Sequence, residues 1–264
     1  MEKLDQKIVW ITGASSGIGE QLAYDLSKKN CRLILSARNV EQLEKVKANC
    51  TNSEFVSIVP LDLTNFDDAP AKVSEAIQKF GKIDVLINNA GVSQRSLIKD
   101  TQFKVFKEIM DIDYLGTIAL SKALLNQFIV QNKGHFVVVS SLMGKFSSPF
   151  RSGYCGAKHA LHGFFDALRM EHEKDGVDVT MVCPGFVQTN IAKNALTSDG
   201  SSQGTNDEAT SKGLSTTVFC KKMISAIERK KFEVYIGGKE VKGVYVKRFF
   251  PKLLHKLVLR SEVR

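Results

Sequence analysis

No stretch of this sequence approaches the roughly 20 uninterrupted apolar residues that a membrane-crossing helix requires, because Lys and Arg recur throughout. Proline is scarce, at five residues, and cysteine is limited to Cys31, Cys50, Cys155, Cys183 and Cys220. That odd, scattered set contains no CxxC pair, so it reads as reduced thiols rather than a disulfide framework or a metal site. Only a handful of polar residues precede the first apolar run, so neither a leader nor an anchor is expected, and the expectation is a cytoplasmic protein. Charge of one sign is also limited. The net charge is +9, but Lys239–Arg264 alone holds eight basic and two acidic residues, leaving +3 for everything else. A basic face for nucleic acid is therefore not expected.

Apolar surface is plentiful. With 43% hydrophobic and 25% charged residues in 264, the chain is excluded from global disorder. A chain of this length buries roughly 70–75% of its unfolded surface, enough for one large α/β domain over 1–264 without disulfides or metal. Short β-branched runs alternate with helical patterns. Strands are expected at 7–12, 32–37, 55–61, 84–88, 135–140, 178–183 and 233–236, with helical spacing at Ile18, Leu22, Leu26 and at Val73, Ile77, Phe80. This alternation predicts a doubly wound parallel sheet of about seven strands with helices on both faces.

Two other stretches stand out. Residues 112–129 are apolar around most of a helical circumference, which predicts cover on two sides and a homodimer or homotetramer through helices at 102–131 and 152–172. Residues 194–215 have almost no apolar content, and a mobile lid insert is expected around 191–215.

The first strand runs directly into Gly13-Ala-Ser15-Ser16-Gly17-Ile18-Gly19 and then a helix. Glycines at such a turn let backbone approach a pyrophosphate, while a helix N-terminus offers free N–H groups and a positive dipole end. The spacing is GxxxGxG rather than GxGxxG, and glycines serve ordinary tight turns too, so the strand–turn–helix context carries the reading. The second strand ends in Ala37-Arg38 with no carboxylate to accept bonds from a ribose 2′-hydroxyl. The Arg38 fork suits a 2′-phosphate, which favours NADP(H). Asp62 closes the third apolar run and can accept from the adenine amino group, and Asn89-Ala90-Gly91 ends the fourth.

Tyr154 and Lys158 are four apart and share a helix face. A phenol titrating near ~10 needs about 4 kcal/mol of anion stabilisation for a three-unit shift, and a neighbouring ammonium acts in that direction. Ser141 ends the HFVVVSS run and can donate to a substrate oxygen.

Together these pieces resemble the short-chain dehydrogenase/reductase family. TGASSGIG (12–19), NNAG (88–91), Ser141, YCGAK (154–158) and PGFVQT (184–189) stand in family order across 7–190. The words GVSQRSL, GYCGAKHALHGFF and CPGFVQTNI look most like its dehydrogenase/reductase member 7 branch, whose relatives include hydroxysteroid and retinoid reductases. The resemblance implies a Rossmann-type domain and hydride transfer between nicotinamide C4 and a carbonyl or alcohol carbon. It implies Tyr154 as general acid or base, with Lys158 lowering its pKa and holding the ribose. Ser141 would polarise the carbonyl, and Val187 and Thr189, following Pro184-Gly185, would position the carboxamide. One position departs from the pattern: where the family has N-Y-x-G-T, this chain has Asp113-Tyr114-Leu115-Gly116-Thr117. The family asparagine holds a relay water through its backbone carbonyl, which an aspartate preserves; alternatively the Asp113 charge pairs with Lys158. A cofactor-binding sensor or scaffold with little catalysis is the competing function.

Smaller signals complete the reading. His159 and His162 lack the further ligands a metal would need, so no metal is expected. Met143, Phe146, Phe150 and Phe186 flank the chemical residues and fit either an apolar substrate pocket or core packing. In the basic tail over 239–264, VYVKRFFPKLLHKLVLR interleaves bulky apolar and basic residues. Closure over the sheet or a second subunit is favoured there over contact with a membrane surface.

Overall fold

The computed structural model describes residues 3–260, so the first two residues of the expected domain and the last four of its basic tail lie outside the described residues. The strands are β1 (Ile8–Thr12), β2 (Arg32–Ser36), β3 (Val56–Ile58), β4 (Val85–Asn88), β5 (Gly134–Val139), β6 (Val177–Pro184) and β7 (Glu233–Ile236). They form one seven-stranded sheet in the order β3-β2-β1-β4-β5-β6-β7, with every pairing parallel.

Side-chain alternation decides which face each residue serves. Val9, Ile11, Leu33, Leu35, Val85 and Ile87 point into one apolar layer, beneath α1 (Gly17–Ser27), α2 (Val40–Ala48) and α8 (Thr216–Glu228). Ile8, Trp10, Ile34, Leu86, Phe136 and Val138 point into the other, beneath α3 (Ala69–Phe80), α5 (Gly116–Val130) and α6 (Ser152–Glu171). The buried indole N–H of Trp10 donates to Ser36 Oγ at 2.8 Å, which donates to the Val59 carbonyl at 2.6 Å. This polar thread ties β1, β2 and the end of β3 together inside the core.

Strand order reverses between β1 and β4, so the loops after these two strands diverge and leave a crevice at their carboxyl ends. β3 is shorter than its apolar run. Val59 and Leu61 still donate to the Leu35 and Ala37 carbonyls beyond it, Pro60 between them turns its missing N–H to the open edge of the sheet and costs no ladder bond, and Phe55 belongs to a preceding 3₁₀ turn.

The apolar 112–129 run is not one regular helix. Helix α4 (Phe103–Met110) leads into a π-helical turn, Asp111–Leu115, before α5 begins. Residues 191–215 carry more structure than their polar composition implies. Ala192, Ala195 and Leu196 are buried, Leu196 bridges to Gln94 and Ser202, and a short helix α7 (Glu208–Ser211) follows. The tail folds as α9 (Lys242–Phe249) and α10 (Pro251–Arg260), with Val244 and Leu254 buried against Leu142 and Phe146.

Candidate active site

A cleft of about 420 Å³ opens along the carboxyl ends of the strands. Its walls include Gly13, Ser15, Ser16, Gly17 and Ile18 of the first loop, and Arg38 and Asp62 after β2 and β3. Asn89, Ala90 and Gly91 follow β4, Ser141 follows β5, Tyr154 and Lys158 come from α6, and Pro184 ends β6, with Gly185, Val187 and Thr189 after it. Two of the expected residues stand behind this wall. Gly19 packs where a Cβ would lie 2.3 Å from the Gly13 carbonyl oxygen, so its lack of a side chain lets α1 approach the loop closely. Asp113 is fully buried, one layer below Gly91.

The loop is built by its neighbours. Gly13 holds φ +65, and a Cβ there would lie 2.8 Å from Ala90 Cα. Thr12 Oγ1 accepts from the N–H groups of Asn89 (3.0 Å) and Ala90 (3.1 Å), and Asn89 Nδ2 donates to the Thr12 and Gly13 carbonyls. The Asn89 amide therefore ties the two loops together, and its placement is accounted for by that structural tie. Asp62 accepts from the Thr64 N–H and hydroxyl at 3.0 and 2.9 Å, which fixes its carboxylate at the cleft edge.

At the other end, Lys158 Nζ lies 5.6 Å from the Tyr154 ring centroid and donates to the Val139 carbonyl at 3.2 Å. Its charge partner is Asp113, with Oδ2 at 3.3 Å, while Asp113 Oδ1 accepts from the Val92 N–H at 2.7 Å. Burial pushes the Tyr154 phenol up; Lys158 and a hydrogen bond with Ser141 pull it down, and Asp113 adds to the rise. Burial alone would lower Lys158, but Asp113 and then Tyr154 outweigh it and hold the ammonium protonated. Burial raises the Asp113 carboxyl against the opposing pull of Lys158 and the Val92 N–H.

Sequence reasoning missed three charged residues. Asp207, buried in the insert, accepts from Arg95 Nε at 3.0 Å and Arg151 Nη2 at 3.1 Å, and both arginines line the cleft. Arg151 immediately precedes α6, three residues before Tyr154. Its pKa is lowered to about 10 by burial and by the neighbouring Arg95. Asp207 would rise on burial alone, but Arg95, Gln203 and Arg151 hold it below the ordinary carboxylate range. No local pattern could have announced this triad, since its partners stand 112 and 56 positions from Asp207.

Of the four flanking apolar residues, Met143 and Phe186 line the cleft. Phe146 is buried instead against Val244 and Leu254, and Phe150 is also away from the wall, its carbonyl accepting from Ser96 N–H. His162 is buried and joins Ser140 Oγ (3.1 Å), Glu233 and Cys183 in a polar network behind β5, while His159 bonds the Cys155 carbonyl. Glu233 in that network is also engaged by Lys145 and Tyr235.

Comparison with known proteins agrees with this architecture. The short chain dehydrogenase family matches residues 7–200. The chain belongs to that family. The human protein named dehydrogenase/reductase SDR family member 7 is 41% identical over 241 residues, covering 89% of this chain and 71% of the relative. A Drosophila melanogaster protein named dehydrogenase/reductase SDR family protein 7-like is 35% identical over 268 residues, 99% of this short-chain dehydrogenase and 82% of the relative. Among solved structures, a short-chain dehydrogenase/reductase from Burkholderia phymatum in complex with NAD superposes with a TM-score of 0.83 at 23% identity, covering 96% of both chains. Levodione reductase gives 0.82 at 21% identity over 91% of this short-chain dehydrogenase and 99% of that chain. The dehydrogenase fold is thus shared even where sequence has diverged, and the family is one of oxidoreductases that bind a nicotinamide cofactor.

Proposed function

We propose that this short-chain dehydrogenase is an NADP(H)-dependent oxidoreductase that interconverts a carbonyl and a secondary alcohol on an apolar substrate. The observation that carries the reading is the convergence of Ser141, Tyr154 and Lys158 on one cleft that also holds the glycine loop and Arg38. The cleft suits a dinucleotide. Gly13 and Gly17 both hold positive φ where backbone must turn tightly, α1 presents its N-terminus there, and Ser15 and Ser16 offer hydroxyls beside it. Arg38 would bind the 2′-phosphate, Asp62 the adenine, and Lys158 the nicotinamide ribose. Asn89, Ala90, Gly91, Pro184, Gly185, Val187 and Thr189 would line the remainder of that binding surface.

The cofactor, when bound, supplies a hydride donor or acceptor. The protein's part is proton management and positioning. Ser141 donates a hydrogen bond to the substrate oxygen. Tyr154 gives its hydroxyl proton to that oxygen in reduction and takes it back in oxidation. Lys158, kept charged by Asp113, stabilises the phenolate against the rise that burial imposes. Val92, Met143, Phe186 and Ile191 on the cleft wall support an apolar substrate. Five free, buried cysteines support work in a reducing compartment such as the cytoplasm. The exposed apolar residues on α4, α5 and α6 support a homo-oligomer.

The test is Tyr154→Phe, which removes one hydroxyl and keeps the ring. NADPH binding measured by fluorescence should be preserved, while carbonyl-dependent NADPH consumption should fall about 10²–10⁴-fold. If the wild-type protein binds NADPH but turns over no member of a broad ketone and alcohol panel, and Tyr154→Phe matches it, the sensor reading replaces this one.

A further inference from the structure

The tail does close over the carboxyl edge of the sheet, but only with one side. Val244 and Leu254 face inward with Val246 and Val258 beside them, against Leu142 and Phe146. This leaves Tyr245, Phe249, Phe250, Leu253, Leu257 and Leu259 between 47% and 70% exposed within fifteen residues. Tyr245 and Phe249 are four apart on α9, and Leu253 and Leu257 are four apart on α10, so each helix presents a paired apolar flank. Lone exposed apolar residues need no explanation, but a cluster of this density does.

Charge decides what covers it. Residues 241–260 contain Lys242, Lys247, Arg248, Lys252, Lys256 and Arg260 and no acidic residue at all. On α10, Lys252, Lys256 and Arg260 follow one another at four-residue spacing along a row beside the Leu253 and Leu257 row. A second copy of this chain would set six cations against six cations, which disfavours self-pairing through this face. A surface that is apolar at depth and anionic at its rim matches both rows at once.

We propose that the α9–α10 pair is an interfacial docking element for an anionic lipid surface. Leu253, Leu257, Phe249 and Phe250 enter the acyl boundary, and the basic row meets the headgroup phosphates and carboxylates. Met143, which lines the cleft, also packs against the inner side of this pair, so docking sets the cleft close to the bilayer. The proposal does not depend on which reaction the cleft performs.

The experiment is vesicle flotation with the full chain, using phosphatidylcholine vesicles with and without phosphatidylserine at low and high salt. Phosphatidylserine should strengthen binding about tenfold or more, and high salt should remove most of that gain. Leu253→Ser with Leu257→Ser, and separately Lys252→Glu with Lys256→Glu, should each weaken binding about tenfold while melting temperature and NADPH affinity stay at wild-type values. These side chains are exposed, so the variants retain the packing of Val244 and Leu254. No binding at low salt, equal binding to both vesicle types, or binding untouched by both double variants overturns the proposal. So does the discovery that the basic row is needed only for capture of an acidic protein, with vesicles ignored.

Discussion

Asp113 places one carboxylate against the two groups on which proton transfer depends. It raises both Lys158 and Tyr154, although through different effects: it holds the ammonium charged, and it opposes formation of the phenolate. Replacing it with Asn keeps the shape and removes the charge, so both neighbours shift down. Oxidation needs the phenolate, and its fraction at a given pH grows as the Tyr154 pKa falls. For Asp113→Asn the rising limb of the oxidation pH profile of kcat/KM should therefore move to lower pH, and the falling limb of reduction should move the same way. Unmoved limbs would mean that this position acts through its backbone alone. Arg38 is the other residue whose charge can be isolated, since it is exposed at the cleft edge and no carboxylate competes with it at the end of β2. Arg38→Ala should weaken NADP(H) about tenfold to a hundredfold by loss of a charged hydrogen bond, and leave NAD(H) nearly unchanged. Equal losses measured by titration with both cofactors would remove Arg38 from phosphate recognition.

Elements whose pattern is local are legible in the sequence. Val9 and Ile11 alternate with Ile8 and Trp10 in sequence and part to opposite faces in the fold. The glycine loop, Ser141 and the Tyr154–Lys158 pair also declare themselves, because each sits at a strand end or helix face whose period is readable. What stayed hidden was set by distant partners. The π-helical turn at Asp111–Leu115 has no period to detect in five residues. The insert reads as polar loop because what seats it lies on remote segments: Leu196 bridges to Gln94, and one anchor is the buried carboxylate of Asp207, held by arginines far away in sequence. That anchor invites its own test. Asp207 has a folded pKa below the ordinary value, so its contribution is present above the unfolded value and lost only as pH falls through the folded one. The latch is thus fully set across the neutral range. Asp207→Asn leaves two largely buried arginines without their carboxylate, a change that costs about 3–5 kcal/mol when a buried pair is broken. We expect a lower melting temperature, faster limited proteolysis within 191–215, and a raised KM for the carbonyl substrate. Wild-type values of all three would show that the triad does not hold the insert over the cleft.

At the scale of the whole molecule, the tail and the α4–α6 helices both expose large apolar residues, and their charge separates their roles. The tail surface is basic throughout and repels a copy of itself. The α4–α6 surface is different. Phe103, Leu115, Val130 and Met170 are exposed there at 82%, 36%, 79% and 73%, on helices whose opposite sides already cover the sheet or one another. A helix can bury its inner stripe against a sheet, but apolar residues on its outer stripe gain only from a second body. Identical surfaces meeting about a two-fold axis solve this with no other partner, provided that roughly 800 Å² per subunit is covered. A dimer through these helices would also brace α6, which carries Tyr154 and Lys158, from outside. The wild-type chain should therefore run as a dimer or tetramer by light scattering at micromolar concentration. Leu115→Glu with Met170→Glu should shift it to monomer and reduce turnover while α9–α10 variants leave its oligomeric state unchanged. A wild-type monomer, or an oligomer broken by the tail variants alone, would move the subunit contact away from α4–α6.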